Sequence, residues 1–371
     1  SHFIVDAGWM PTESITDTSC LYLPEDQRVN TVNFPNGLKA VTDKLKDLGL
    51  SPAIWWPPSI YLESKLAKDH PDWMAKDISG ATYTINADGF LDYSLPEVQE
   101  FLHQCFRIMF KEWGFEAMKL DFWSQGAESG KIRFKGGGTP TEWRDWLLGT
   151  IRSYLPPDGF LETCVATAMG NPFLGKHAQL YRSCIDVGAC TWKEHLNASC
   201  WVQPMLSFPS RRICLQSIDG LGVNKSLSDH ENLHRLTYGF ISMGGIEIAG
   251  RLEELGTRHA GWIRKLTEHV DRGYPVKCPD DDAYTGKPYP KVLYVDYPQE
   301  SPAYQRGVRK HVALLNWNDT AQYVGATASE LGLGGKVTLR DFWTDKKKIL
   351  SCGDLFEFLP PRSAKLYEIN N

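Results

Sequence analysis

A chain of 371 residues in which 42% of the side chains are hydrophobic can bury a large core, and one barrel plus a smaller domain fits that length. The formal net charge of −5 gives no sign of the excess of basic residues that is typical of nucleic-acid-binding proteins. No apolar run approaches the roughly 20 residues that a membrane helix needs. Nine cysteines without a C-x-x-C pair indicate buried thiols rather than a disulfide framework.

The first 250 residues alternate between short apolar strands and helical periodicity, which favours a parallel α/β arrangement. The first strand runs into Asp6 and a tight turn at Gly8, and the second strand is stopped by Pro57 and Pro58. The connection over residues 59–90 is long for a βα loop, and such loops commonly carry function. Seven strands are predicted, near residues 3–6, 52–55, 116–121, 160–165, 181–186, 213–218 and 245–249.

The clearest unit of this series is a helix that leads directly into a strand ending on a carboxylate. Ser94 and Glu97 have the spacing of a helix-capping box. Apolar side chains then recur along one helix face up to Trp113, and Gly114 stands where the helix should end. The next strand ends at Asp121. An acidic residue at the C-terminal end of a barrel strand points into the active-site mouth, so Asp121 is the first catalytic candidate.

Short strands separated by turn residues dominate after about residue 279, which predicts a small antiparallel β domain. We therefore expect a TIM (β/α)8-type catalytic barrel over residues 1–278 and a C-terminal antiparallel β-sandwich over residues 279–371. A closed barrel of this class needs eight strands. Because seven are found and residue 3 is already inside a strand, we expect the first barrel strand to lie upstream of this chain or to come from another segment.

Two carboxylates at strand ends, Asp121 and Asp186, suggest glycoside hydrolysis. Retaining glycosidases place such a pair about 5–5.5 Å apart, and inverting ones roughly 6.5–9.5 Å apart. Lys119 emerges on the same strand face as Asp121 and favours the ionised carboxylate that a nucleophile requires. Arg182 precedes Asp186 by four residues, which suits an acid tuned by burial and by a charged partner.

Four motifs follow one another along the first third of the chain. They are Val5-Asp6-Ala7-Gly8-Trp9, His70-Pro71-Asp72-Trp73, Leu91-Asp92-Tyr93-Ser94-Leu95-Pro96-Glu97-Val98 and Met118-Lys119-Leu120-Asp121. The segment 182–186 and the C-terminal runs 339–344 and 359–361 complete the set. Together these motifs resemble the clan of retaining α-galactosidases and α-N-acetylgalactosaminidases, glycoside hydrolase families 27 and 36, with the better fit to family 36. The likeness covers nearly the whole chain.

The resemblance implies that Asp121 forms a covalent glycosyl-enzyme and that Asp186 acts first as general acid and then as base. It also implies hydrogen bonds from Asp6, Lys119 and Arg182 to sugar hydroxyls. The resemblance further implies that Trp55 lines the pocket. Three other side chains at or beside strand ends are substrate-binding candidates: Trp9, Trp123 and Cys164. The expected substrate is an oligosaccharide or glycoconjugate, and neither a cofactor nor a metal is expected.

Two departures from the family pattern leave the sugar open. The family's paired Asp-Asp before Gly-Trp is Asp6-Ala7 here, so one contact to the O4/O6 edge of the sugar should be absent. The family's Cys-Ser-Gly-Gly segment is Cys164-Val165-Ala166-Thr167-Ala168, whose small side chains leave space for an N-acetyl group at C2. An α-N-acetylgalactosaminidase and a transglycosylase of the raffinose-synthase type therefore stay open beside an α-galactosidase. A homo-oligomer, and a cytoplasmic or a secreted location, also stay open.

One motif points to different chemistry. His230-Glu231-Asn232-Leu233-His234 is an H-E-x-x-H sequence, and Glu254 lies where some zinc peptidases place a third ligand. However, the strand predicted between Gly245 and Gly250 interrupts the approach to Glu254. The competing interpretation is a barrel helix that begins at Asp229 and carries ordinary histidines. We keep a zinc metallopeptidase as the weakest alternative.

Overall fold

A computed structural model describes residues 1–11, 17–85, 88–122, 130–164, 174–187, 191–202, 213–269, 271–279, 289–351 and 354–370. These residues form two compact units, Ser1–Tyr181 and Arg182–Asn371. No helix among them is both long enough and apolar enough to span a membrane.

The first unit alternates strands and helices, as the apolar periodicity predicts. Its strands are β1 His2–Val5, β2 Ser51–Trp56, β3 Ser59–Tyr61, β4 Thr84–Ile85, β5 Asp88–Phe90, β6 Ala117–Leu120, β7 Leu161–Thr163 and β8 Leu180–Arg182, the last ending at the boundary between the units. Its helices are α1 Gly37–Asp47, α2 Lys65–Asp69, α3 Pro96–Arg107, α4 Pro140–Tyr154 and α5 Leu174–His177.

Five of these strands form a parallel sheet in the order β1-β2-β6-β7-β8. Trp55 of β2 lies opposite Lys119 of β6, which in turn lies opposite Glu162 of β7. Because side chains two residues apart share a face of a strand, these three lie in one layer and Asp121 belongs to the next layer toward the C-terminal edge. The long loop after β2 carries its own small antiparallel sheet in the order β3-β5-β4.

The predicted capping box at the start of α3 is wrong. The helix begins at Pro96, its N-cap is Leu95, and no side chain caps it. The Ser94 hydroxyl instead donates to the Asp92 carboxylate and accepts from the N–H of Gly136 at 2.7 Å. Proline is preorganised for the first helical position, so Pro96 sets the start of the helix one residue later than the Ser-x-x-Glu spacing predicts.

The second unit continues this α/β pattern and then changes to antiparallel strands. Its helices are α6 Trp192–Val202, α7 Asp229–Ile241, α8 Thr257–Thr267 and α9 Pro302–Gln305. Its strands are β9 Leu215–Ser217, β10 Val276–Lys277, β11 Val292–Asp296, β12 Lys310–Leu315, β13 Gln322–Ala326, β14 Val337–Asp341, β15 Lys347–Leu350, β16 Leu355–Leu359 and β17 Ala364–Ile369.

Six of the seven predicted barrel-type segments contain a strand, whereas the seventh, residues 245–249, contributes only an isolated bridge at Gly245. In the second unit the N–H of Ser183, which follows β8 in the chain, donates to the carbonyl of Ser217 at 3.0 Å. Ser217 also forms a parallel bridge with Gly245, the start of the seventh predicted segment. The remaining strands form an antiparallel sheet β10-β11-β12-β17-β14-β15 and a separate pair β13-β16. The prediction of a C-terminal antiparallel β domain is therefore confirmed.

Helix α7 shares its core with the β domain. Leu236 and Phe240 belong to the same buried cluster as Leu315, Phe342 and Leu366. The second unit thus spans residue 278, the predicted end of the barrel domain, and the division into 1–278 and 279–371 stays a prediction.

Four cysteines that the structure describes are free thiols, and all four are buried: Cys20, Cys105, Cys184 and Cys214. Burial raises the pKa of the Cys214 thiol to about 12 and makes it a poor nucleophile at neutral pH. For these four residues the prediction of buried thiols is confirmed.

Candidate active site

Asp121 directly follows β6 and is held by two hydrogen-bond donors. The indole Nε1 of Trp55 donates to Asp121 Oδ2 at 3.1 Å, and the backbone N–H of Phe122 donates to Oδ1 at 2.8 Å. The residue is buried, with 7% of its surface exposed. Phe122 has a φ of +50°, a left-handed conformation that costs a non-glycine residue roughly 1–3 kcal/mol. The chain therefore turns sharply after Asp121, and its carboxylate is fixed in orientation.

An ion pair lies beside this carboxylate. Lys119 Nζ donates to Asp6 Oδ2 at 3.0 Å. The Lys119 side chain is 10% exposed, whereas that of Asp6 is 52% exposed. Asp6 therefore presents oxygens to solvent while Lys119 supplies a buried positive charge two residues before Asp121. The structure brings Asp6, Trp55, Lys119 and Asp121 together at one sheet edge, and their catalytic and sugar-binding roles stay predictions.

Trp9 and Cys164 occupy supporting positions. Trp9 is fully buried, its Nε1 donates to the carbonyl of Trp55 at 2.8 Å, and its ring meets Trp113 edge-on at 5.6 Å. Cys164 is also fully buried, and its N–H donates to the carbonyl of Leu120 at 2.7 Å. These contacts fix the strands that carry Trp55 and Asp121, and direct sugar contact by Trp9 or Cys164 stays a prediction. Trp123 and residues 165–168 lie outside the described part of the chain.

The second catalytic candidate lies in the second unit beside a buried cation. Arg182 Nη1 lies 2.6 Å from Asp186 Oδ1, with Arg182 5% exposed and the Asp186 side chain 75% exposed. Asp219 Oδ1 lies 3.7 Å from the same Nη1, and Asp219 Oδ2 accepts from the N–H of Val187 at 2.7 Å. Asp219 therefore anchors both Arg182 and the backbone that carries Asp186.

Sequence reasoning missed three carboxylates. Asp219 has a φ of +63°, and its N–H donates to Ser217 Oγ at 3.1 Å. Ser217 Oγ in turn donates to Glu247. Glu162 lies fully buried on β7 in the layer of Lys119. The available signal was positional, because each residue lies within or directly after a predicted strand of the barrel.

The H-E-x-x-H segment serves as the start of a helix. Glu231 accepts from the N–H and the hydroxyl of Ser228 at 2.8 and 2.9 Å and pairs with Arg362 at 2.8 Å. His230 is exposed, whereas His234 is fully buried 3.1 Å from His195. Burial lowers the pKa of His234 to about 3.

The two histidines of the motif therefore face different environments, and Glu254 instead pairs with Arg251 at 2.9 Å. Within the described ranges, no three His, Cys, Asp or Glu side chains are grouped to hold a metal ion. This geometry argues against the zinc interpretation.

The described residues include carboxylates that could act as a nucleophile and as a general acid or base. The first unit has a carboxylate fixed by two donors with a cation close by in the sequence. The second unit has an exposed carboxylate on a buried guanidinium. Among the residues that the structure describes, neither cluster contains the thiol–histidine or hydroxyl–histidine pair that acyl transfer requires.

Comparison with known proteins finds similarity to the same enzymes that the sequence motifs indicate. Residues 1–148 match the Melibiase family model. An α-galactosidase of Escherichia coli is 26% identical over 165 residues, which are 44% of this chain and 23% of that protein. The matched segment thus covers less than a quarter of the length of this curated relative. The resemblance predicted from the sequence is confirmed.

Solved structures of the clan have the same fold. One of them is a GH27 β-L-arabinopyranosidase from Geobacillus stearothermophilus bound to arabinose. It matches with a TM-score of 0.68 at 15% sequence identity, and the match covers 100% of this chain and 88% of the arabinopyranosidase chain. The α-galactosidase I of Mortierella vinacea matches with a TM-score of 0.63 at 14% identity, covering 99% and 86%.

A third similar structure is that of a putative α-N-acetylgalactosaminidase from Bacillus halodurans. It matches with a TM-score of 0.66 at 12% identity, covering 100% of this chain and 88% of its own. At these identities the likeness concerns the fold. The prediction of a TIM-type barrel with a C-terminal β domain is confirmed.

Proposed function

We propose, from the match of residues 1–148 to the Melibiase family, that the chain is a retaining exo-acting α-glycosidase that releases terminal α-galactose-type sugars. The observation that carries the proposal is the position of Asp121: a buried carboxylate at the C-terminal end of a parallel strand, aimed by two donors. Both hydrogen bonds favour the ionised form that can attack an anomeric carbon.

In the first step, an Asp121 oxygen attacks C1 of the sugar as the bond from C1 to the leaving oxygen breaks. Asp186 gives its proton to that oxygen, so the alcohol leaves neutral and a glycosyl ester remains on Asp121. Retaining chemistry requires the two carboxyl groups about 5–5.5 Å apart. Asp186 must be protonated for this step, and Arg182 then stabilises the carboxylate that forms.

In the second step, Asp186 acts as base and takes a proton from water. The water oxygen attacks C1, the ester bond to Asp121 breaks, and the sugar leaves with its original anomeric configuration. Asp6 has exposed oxygens that can accept from sugar hydroxyls, and Lys119 holds it in place. An acceptor sugar in place of water would give the transglycosylase alternative.

The identity of the sugar depends on its C2, C4 and C6 substituents. Ala7 offers no carboxylate toward the C6 side, so a sugar without the C6 hydroxymethyl group, such as L-arabinopyranose, loses nothing at that position. Initial rates on nitrophenyl α-galactoside, α-N-acetylgalactosaminide and β-L-arabinopyranoside rank the three alternatives. If the chain cleaves none of these three substrates, the proposal is wrong.

Asp121→Asn tests the catalytic assignment. The variant is expected to lose hydrolysis by at least about a thousandfold while still binding the product sugar, because the amide cannot form the glycosyl ester. Sugar binding measured by calorimetry separates this result from misfolding. Turnover equal to that of the wild type would exclude Asp121 as the nucleophile.

A further inference from the structure

A cavity of about 450 Å³ lies in the first unit, formed by two loops that follow barrel strands. One loop follows β2, which carries Trp55, and the other follows β6, which ends before Asp121. Because both strands are parallel, the loops leave the same edge of the sheet. The side chains that line the cavity include Asp72, Met74, Lys76, Arg133, Phe134 and Lys135.

The backbones of the two loops are joined where the cavity is most basic. The N–H of Lys76 donates to the carbonyl of Arg133 at 3.2 Å, and the N–H of Arg133 donates to the carbonyl of Lys76 at 2.6 Å. This antiparallel bridge sets the two cationic residues directly opposite each other. Like charges in that position repel, and an anion between them would remove the repulsion.

The three cations of the cavity have only neutral partners in the described chain. Lys76 Nζ donates to Thr82 Oγ1 at 3.0 Å, and Arg133 Nη1 donates to the carbonyls of Gly130 and Ile132 at 2.9 Å each. Lys135 is exposed. Among the residues that the structure describes, none of the three forms an ion pair with a carboxylate. Their positive charge is therefore available to a ligand.

Two acidic residues also line the cavity, and they differ in what they offer. The Asp92 carboxylate is buried and accepts from the N–H groups of Ser94 at 3.0 Å and Lys135 at 2.7 Å, so it is occupied by the backbone of the loops. Asp72 is exposed and can accept from ligand hydroxyls. Phe134 and Met74 are both more than nine-tenths buried and add an apolar surface.

We propose that this cavity binds an acidic sugar unit on the leaving-group side of the substrate, one that carries a carboxylate or a sulfate ester. The assignment rests on the proposed glycosidase function. Lys76, Arg133 and Lys135 would hold the anionic group, Asp72 the hydroxyls, and Phe134 the C–H face of the ring. The volume lies within the range of roughly 300–1,000 Å³ that is usual for small-molecule sites.

Calorimetric titration of the wild-type chain with glucuronate, glucose 6-sulfate, glucose and inorganic sulfate tests the proposal. We expect the two charged sugars to bind at least about tenfold more tightly than glucose, because charge-assisted hydrogen bonds are about twice as strong as neutral ones. Stronger binding of only one charged sugar identifies which anionic group the site takes. Equal binding of glucose and both charged sugars overturns the proposal. Sulfate binding as tight as that of the charged sugars overturns the assignment to a sugar.

A charge reversal locates the binding. Lys135→Glu changes a side chain that is exposed and is expected to lower the affinity for the charged sugars about tenfold. Lys44→Glu, the same change on an exposed position of α1, is the matched control and should leave the affinity unchanged. Equal affinities for the two variants contradict the site. Hydrolysis of a neutral nitrophenyl glycoside by the wild type reports on the proposed function separately, so the two ideas can fail independently.

Discussion

The hydrogen bond from Trp55 to Asp121 gives the sharpest prediction about the site. Trp55→Phe keeps an aromatic ring on β2 but removes the N–H that lies 3.1 Å from Asp121 Oδ2. A hydrogen bond to a charged group contributes about 1.5–3 kcal/mol, and each 1.36 kcal/mol corresponds to a tenfold change in rate. Because Trp55 is 3% exposed, water cannot easily replace the donor. We expect kcat/KM to fall roughly 10- to 150-fold.

The neighbouring tryptophan provides a matched control. Trp56 is also buried on β2, points to the opposite face of the strand, and packs edge-on against Phe106 at 5.4 Å. Its Nε1 has no hydrogen-bond partner in the described part of the chain. Trp56→Phe should therefore cost a similar amount of packing and leave kcat/KM within about twofold. Melting temperatures and kcat/KM for both variants make the comparison, and equal losses of activity would refute the orienting role of Trp55.

Three further predictions concern the second unit. Asp219→Asn keeps a hydrogen-bond acceptor but removes the ion pair with Arg182, so kcat/KM should fall roughly tenfold with little change in Tm; an unchanged kcat/KM would show that Arg182 needs no such anchor. Glu231→Gln, and a chelator added to the wild type, should both leave turnover intact because Glu231 caps α7, and loss of activity in either assay would restore the zinc interpretation. Burial lowers the pKa of His234 to about 3 from an ordinary 6.5, so the unfolded chain binds more protons than the folded chain between these two pH values. The free energy of unfolding should therefore fall as the pH is lowered from about 6.5 to about 3. As the pH is lowered, Tm should fall less steeply in His234→Gln than in the wild type, whereas exposed His230→Gln should keep the wild-type slope. Equal slopes in all three proteins would show that His234 does not cause the loss of stability.

Much of the first unit could be predicted because its signals are local. The apolar runs that end on Asp6 and Asp121 mark buried parallel strands, and the side-chain period of two places Lys119 on the face of Asp121. The pairing of Lys119 with Asp6 joins residues 113 positions apart. This pairing depends on the strand order β1-β2-β6, which cannot be predicted from a local sequence pattern.

The wrong predictions and the residues that sequence patterns did not reveal each have a specific structural cause. Ser94 and Glu97 have capping-box spacing, but Pro96 fixes a later helix start and Ser94 bonds to Asp92 instead. Asp219 takes a left-handed conformation that sequence periodicity does not report. The H-E-x-x-H motif was ambiguous from spacing alone, and the hydrogen bonds of Glu231 assign it to a helix cap.

The covalent intermediate on Asp121 is the central claim, and trapping it is the most direct test. The wild-type chain is incubated with a fluorinated glycosyl substrate of the preferred sugar, whose second step is slow, and its peptides are analysed by mass spectrometry. We expect one added fluorosugar on the peptide that contains Asp121 and none in Asp121→Asn. A label on another carboxylate, or turnover that inverts the anomeric configuration without any label, would contradict it.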